Sequence, residues 1–140
     1  FDTLAKLSSV LELKCDLGVQ LKAAYDANDK AALSRLADEV IPELLSRFDV
    51  YYEAFRRQWY LESRPGGFDV QDLRFGGLKQ RLLNAQRTVR AYVAGEIEAI
   101  SELKVPRLPF DCRDSDEGRD INVDCNFWNY ISTPNVNSNY

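Results

Sequence analysis

Three kinds of side chain could carry chemistry in this chain: 22 carboxylates, 18 basic groups and three thiols. Histidine is absent, so a Ser–His or Cys–His nucleophile pair cannot be built. The same absence excludes the His-Glu-x-x-His zinc helix and the di-iron bundle that uses Glu-x-x-His. No two carboxylates are placed by a recognisable catalytic motif. The residues therefore point to no catalytic, cofactor-binding or metal-binding site, and to no cofactor.

The segment 59–77 is the most unusual in the chain, because it combines aromatic residues, arginines and two Gly-Gly pairs. Its glycines lack the preceding strand and the Lys-Ser/Thr of a phosphate loop. A glycine in a helix costs about 1 kcal/mol relative to alanine, which is tolerable where another backbone must approach. The segment is either an ordinary turn between helices or a docking surface. We predict a domain or dimer interface there, made by Trp59, Arg64, Pro65, Phe68, Asp69, Asp72, Arg74, Phe75, Gly76 and Gly77.

Two charged residues fall at seam positions of the predicted helices, namely Lys14 and Glu96. A charge in a core position costs several kcal/mol unless it is paired. Either Lys14 reaches solvent at an edge of the bundle, or it forms a buried ion pair, for which Glu96 and Asp72 are the candidates. Gly18, in the same seam, would let a neighbouring helix or a large aromatic ring approach.

Three long helices are predicted to position these residues, over 3–27, 30–62 and 73–104, with a loop at 63–72. Asp2 and Asp29 are the expected N-caps of the first two helices. Pro42 predicts a kink near Val40, or a break that divides the second helix there.

The first helix shows apolar residues at 3-4 spacing, and these predict its core-facing stripe: Leu4, Leu7, Leu11, Leu21 and Tyr25. Because short connections make consecutive helices antiparallel neighbours, we predict an all-α fold. It is an up-down-up bundle of three long helices over 1–105, followed by an irregular arm over 106–140.

The arm alternates apolar and polar residues from Ile121 to Phe127, which is typical of a strand. A lone strand is not stable by itself, so we expect it to pack on, or add to a sheet of, a part of the protein that is not present. Cys112 and Cys125 could form a disulfide across the acidic segment between them, which would leave Cys15 over.

The overall composition limits the classes of partner that the chain could bind. The formal net charge is −4, which gives no basic footprint for nucleic acid. No apolar run approaches 18 residues, so we expect no membrane span. Methionine is absent and the first residue is a bulky Phe1, so we expect a piece of a longer protein. We expect that protein to be cytoplasmic, with any signal peptide lying upstream of Phe1.

Two segments of the chain also carry a family resemblance. The residues Val10 to Gly18, followed by Leu21 to Tyr25, resemble the helical C-terminal domain of bacterial glycoside hydrolase family twenty enzymes, which are exo-β-N-acetylhexosaminidases. The likeness continues through Trp59, the Arg64-Pro65 turn and the run from Gly67 to Leu78, and covers roughly residues 5 to 110.

The resemblance implies a parent enzyme that removes terminal N-acetylglucosamine or N-acetylgalactosamine. In that family an Asp-Glu motif in a (β/α)₈ barrel assists attack by the sugar's own acetamido oxygen. Asp38-Glu39 lies within a helical pattern and Asp116-Glu117 in the acidic segment, so neither inherits this role. The parent's barrel, rather than this piece, would bind the carbohydrate.

Two functions follow as hypotheses. The first is a non-catalytic structural domain that packs on the parent's barrel, builds a homodimer interface, or does both. It predicts an exposed apolar patch near Trp59, Phe68 and Phe75. The alternative is a stand-alone helical protein-interaction domain that binds a partner helix in a groove.

Overall fold

The computed structural model describes residues 1–63, 66–105, 113–114 and 119–120. The chain divides into two compact units, Phe1–Leu103 and Lys104–Tyr140. The domain boundary predicted at 105/106 stays a prediction. Each unit is described separately below.

Over its described residues, 1–63 and 66–103, the first unit contains helices and no strand, which confirms the predicted all-α class. Its elements are α1 (Asp2–Asp26), α2 (Lys30–Arg35), a π-helical turn (Leu36–Val40), α3 (Ile41–Glu62), α4 (Phe68–Ala94) and the short α5 (Ser101–Lys104). Because α2, the π-helical turn and α3 follow one another without a gap, they act as the second long element of the bundle.

Ion pairs along the helices show that the bundle runs up, down and up. Asp2 at the start of α1 pairs with Arg57 near the end of α3, at 3.1 Å. Further along α1, Glu12 pairs with Arg47 at 2.6 Å, so α1 and α3 are antiparallel. On the other side, Asp49 pairs with Lys79 of α4 at 2.5 Å. Asp38, eleven residues earlier, pairs with Arg90, eleven residues after Lys79, at 2.7 Å, so α4 is antiparallel to the second long element.

The second long element is interrupted where Pro42 predicts it. Asp29 caps α2, since its carboxylate accepts a hydrogen bond of 2.9 Å from the Ala32 N–H. The π-helical turn then ends with Ile41 donating to the Leu36 carbonyl, five residues back. Pro42 lies in the first turn of α3, where its missing N–H disturbs the ladder least.

The core is centred on the π-helical turn rather than spread evenly along the bundle. The most deeply buried large side chains are Val10, Leu33, Leu36, Ile41 and Leu44. In α1 the buried positions are Val10, Leu17 and Ala24, which are seven residues apart. Of the predicted stripe, Leu21 and Tyr25 pack against the core, whereas Leu4 and Leu11 are exposed instead of buried.

The ends of two helices differ from the prediction. Phe1 rather than Asp2 occupies the N-cap position of α1, and no side chain caps it. The third long helix begins at Phe68, not at residue 73, and it ends at Ala94 because Gly95 adopts φ +78°. Glycine takes this left-handed conformation without steric cost, and the chain then turns back before α5.

Within the described part of the second unit, β1 (Arg113–Asp114) pairs antiparallel with β2 (Arg119–Asp120). The predicted strand from Ile121 to Phe127 lies outside the described residues, as do Cys112 and Cys125. Among the described ranges, no helix is both long and apolar enough to cross a membrane.

Candidate functional site

The end of the bundle where α1 begins, α3 ends and α4 begins contains a continuous aromatic cluster. Rings of α3 and α4 contact one another there, and the cluster comprises Phe48, Tyr51, Tyr52, Phe55, Trp59, Tyr60, Phe68 and Phe75. The centroids of Phe75 and Tyr52 are 5.1 Å apart, and those of Phe75 and Phe48 are 5.2 Å apart. Aromatic pairs at such distances stabilise packing beyond the area that they bury.

Phe68 belongs to the interior of this cluster. It is the first residue of α4, and its ring contacts those of Trp59 and Tyr60 at 5.8 and 5.3 Å. Only 4% of Phe68 is exposed, so the predicted exposed patch does not include it. Phe68 holds the start of α4 against the end of α3. The predicted start of this helix, residue 73, placed Phe68 in a loop instead.

The polar members of the predicted interface divide into two groups. Asp72 is used within the bundle, since it accepts a hydrogen bond of 2.6 Å from the Tyr52 hydroxyl. This bond is the main reason why the pKa of Tyr52 is raised. Asp69 and Arg74 are exposed, and Arg74 has no ion-pair partner in the part of the chain that the structure describes. Arg64 and Pro65 lie outside the described residues.

Gly76 and Gly77 lie within α4 on an exposed surface. A Cβ atom added at either position would meet nothing within 4 Å, and the same is true at Gly18. No close approach inside the described part of the bundle therefore explains these glycines, and the predicted approach at Gly18 is not observed there. Whether Gly76 and Gly77 admit another backbone in the parent stays a prediction.

The predicted buried ion pair of Lys14 and Glu96 is wrong, because both side chains are exposed. Glu96 follows Gly95, where α4 has already ended, so it does not continue the helical seam. Lys14 lies between the buried positions Val10 and Leu17 and stays at the edge of α1. Within the described residues it forms no ion pair.

A groove runs between α1 and α4, with α3 as its floor. Its open part has a cavity volume of about 270 Å³. The apolar lining includes Leu7 and Leu11 from α1, Tyr51 from α3, and Phe75 and Leu78 from α4. Lys14 and Arg74 stand on opposite walls of this groove.

A second apolar hollow adjoins this groove between the start of α1 and the end of α3. Thr3, Leu4 and Trp59 line it, and it shares Leu7 and Tyr51 with the groove. We call the combined surface, defined by Leu4, Leu7, Leu11, Trp59 and Leu78, the open apolar face. Leu4 is 61% exposed and Leu11 is 40% exposed. The spacing of these leucines is visible in the sequence. The same spacing is expected whether they face the core of their own bundle or a surface that contacts another domain.

A third hollow has charged walls, and most of its charged groups are already paired. Asp49, Glu53, Asp72 and Lys79 line it, but Asp49 is paired with Lys79 and Asp72 is bonded to Tyr52. In the described ranges no group of three or more Cys, Asp or Glu side chains is placed to hold a metal ion.

Comparison with known families matches most of the chain. The profile of the family described as Glycoside Hydrolase 20C C-terminal domain matches residues 1–122. None of the curated proteins matches the chain.

Proposed function

The chain belongs to the glycoside hydrolase 20C C-terminal domain family, and from this premise we propose that it is a structural domain packed on the catalytic domain of an exo-β-N-acetylhexosaminidase. The parent would release terminal N-acetylglucosamine or N-acetylgalactosamine. The carbohydrate would be bound by the parent's barrel and not by this chain.

The observation that carries the proposal is the open apolar face. Leu4, Leu7 and Leu11 recur along the outside of α1 and continue into the exposed wall of the groove. Contiguous exposed apolar surface marks interaction sites in soluble proteins. A C-terminal domain is joined to the rest of its parent through its own N-terminal side, and the open apolar face begins in the first turns of α1.

The chemistry of the described carboxylates supports a non-catalytic role. Asp38, in the only Asp-Glu pair among the described residues, accepts hydrogen bonds from Arg90 at 2.7 Å and from Ser34 at 2.9 Å. These bonds lower the pKa of Asp38. A carboxylate held in this way links α4 to the π-helical turn, and its two oxygens are engaged by Arg90 and Ser34 rather than free to orient the acetamido group of a sugar.

The test compares the parent with a version that lacks this chain, using a chromogenic N-acetylglucosaminide. We expect this chain alone to give no hydrolysis, and we expect the parent to unfold at lower temperature once the chain is removed. Hydrolysis by the chain alone would contradict its non-catalytic role. An unchanged unfolding temperature of the shortened parent would contradict its structural role.

Two further parts of the proposal have separate tests. A homodimer of the parent would be supported by a molecular mass twice that of one chain in solution, and the alternative stand-alone interaction domain would be supported by a gene little longer than this chain. We also propose a cytoplasmic location. The exposed, unpaired thiol of Cys15 supports it, because thiols persist in reducing compartments, and cell fractionation would test it.

A further inference from the structure

Two hollows follow each other along the seam between α1 and α4, one toward each end, and the segment after α4 lines only one of them. At the far end, Gly18 and Leu21 of α1 and Arg81 and Val89 of α4 line a hollow together with Ile100 and Leu103. At the near end, Leu7 and Leu11 face Leu78 and Arg74 across the open groove. The same two helix faces therefore form both ends.

The occupant of the far end has a definite chemistry. Ile100 is buried, and its N–H donates to the Tyr25 hydroxyl at 3.3 Å. Leu103, three residues later, packs against the same core. Between them, Glu102 forms an ion pair of 2.7 Å with Arg81 of α4. A single helical turn with two apolar side chains and one carboxylate thus closes this end.

The open end presents the complementary groups without such an occupant. Arg74 precedes Arg81 by seven residues, which places both on the same face of α4. Arg74 has no carboxylate partner in the described part of the chain, and neither has Lys14 on the opposite wall. The rings of Phe48, Tyr51 and Phe75 line the groove together with these two cations.

We propose that the open end binds a helical turn of the parent's catalytic domain, with two apolar side chains three residues apart and a neighbouring carboxylate. This inference rests on the proposed function and specifies its contact. The apolar side chains would fill the groove over Tyr51 and Phe75, and the carboxylate would pair with Arg74, as Glu102 pairs with Arg81. Because the catalytic domain is part of the same polypeptide, its effective concentration at the groove is high.

The test uses the full parent with the photo-cross-linker p-benzoylphenylalanine in place of Leu11, which lies on the groove wall. The matched control places the cross-linker at Gln20, nine residues later and therefore on the opposite side of α1. We expect Leu11 to cross-link to a peptide of the catalytic domain in the same molecule, and Gln20 not to do so. The cross-linked peptide should contain an apolar pair at i, i+3 beside an Asp or Glu.

Charge reversal separates the ion pair from the apolar contact. Arg74→Glu should lower the yield of the Leu11 cross-link by roughly two- to fivefold, the range that one exposed ion pair supplies. Arg87→Glu is the control, because Arg87 lies about 220° from Arg74 around α4 at 3.6 residues per turn. Equal yields in the two variants would overturn the assigned carboxylate.

Two results would overturn the whole inference: cross-linking of Leu11 only to a second copy of the protein, or no cross-link to the catalytic domain. The proposed function fails separately, when removal of the chain leaves the parent's unfolding temperature unchanged. The parent could lose stability on removal of the chain and yet give no Leu11 cross-link. That result would support the structural role and exclude the groove as the contact with the catalytic domain.

Discussion

The side-chain amide of Gln86 donates a hydrogen bond of 2.7 Å to the backbone carbonyl of Ala37, at the centre of the core. In the π-helical turn the Ile41 N–H donates its hydrogen bond to the Leu36 carbonyl and not to that of Ala37. The residue five positions after Ala37 is Pro42, which has no N–H to offer. Gln86 therefore supplies the donor that Pro42 removes, and this bond fixes α4 to the π-helical turn.

Replacing Gln86 should destabilise the chain through this carbonyl. Gln86→Leu leaves the Ala37 carbonyl buried and unpaired, so we expect a loss of about 1–3 kcal/mol in the free energy of unfolding. Urea unfolding followed by circular dichroism measures it. The loss should be smaller in a Pro42→Ala background, where residue 42 regains an N–H. Additive effects of the two substitutions in a double-mutant cycle would show that Pro42 and Gln86 are not coupled.

Alanine at the exposed glycines of α4 should stabilise the chain by itself. Gly76→Ala and Gly77→Ala meet no neighbouring atom, so each should raise the free energy of unfolding by about 0.5–1 kcal/mol. Gly95→Ala is the control, because φ is +78° there and the same change should cost about 1–2 kcal/mol. Thermal unfolding of the three variants measures the effects. A loss of stability at Gly76 or Gly77 in the chain alone would mean that these glycines are needed within it.

The Asp38–Arg90 contact predicts a pH dependence. The pKa of Asp38 is lower in the folded state than in the unfolded state, where it is near 3.8. The contact therefore stabilises the folded chain above pH 3.8, and this contribution is lost as the pH falls through the pKa of the folded state. Asp38→Asn should therefore be less stable than the original chain at pH 6, and the difference should shrink toward pH 2. Thermal unfolding at both pH values measures this. A difference that grows on acidification would contradict the sign.

Tyr52 and Tyr51 should titrate differently once Asp72 is neutralised. The pKa of Tyr52 is raised first by its bond to Asp72, whereas the pKa of Tyr51 is raised by burial. Asp72→Asn should therefore lower the pKa of Tyr52 toward its usual value and leave that of Tyr51 unchanged. Carbon NMR of the tyrosine rings resolves the two titrations. Equal shifts at both residues would indicate a rearranged α3–α4 contact instead.

The start of α2 and the interruption of the second long element are predicted correctly, because the residues that cause them lie beside them in the sequence. Asp29 and Pro42 act on the residues beside them, and both predictions are confirmed. The start of α4 is missed because Phe68 is held by rings of α3, which are distant in sequence. The end of α4 carries a local signal, Gly95, but a continuing apolar pattern after it favours a longer helix. The role of Gln86 has no local signal, since its partner is a carbonyl 49 residues away.

The candidate site is harder to predict from sequence than the helices. The leucines of α1 follow a helical spacing, and that spacing is the same whether they face their own bundle or another domain. Only the packing of Val10 and Leu17 into the core shows that Leu4 and Leu11 face outward. The aromatic residues of 59–77 were predicted as an interface, but Phe68 stabilises the bundle from inside.

Hydroxyl-radical footprinting of Leu4 and Leu11, compared between this chain alone and the full parent, tests the structural role most directly. Both side chains are exposed in the chain, and Val19 and Val50 are exposed controls outside the open apolar face. We predict that labelling of Leu4 and Leu11 falls in the parent while that of Val19 and Val50 is unchanged. Equal labelling of Leu4 and Leu11 in both proteins would contradict the claim that the open apolar face packs on the catalytic domain.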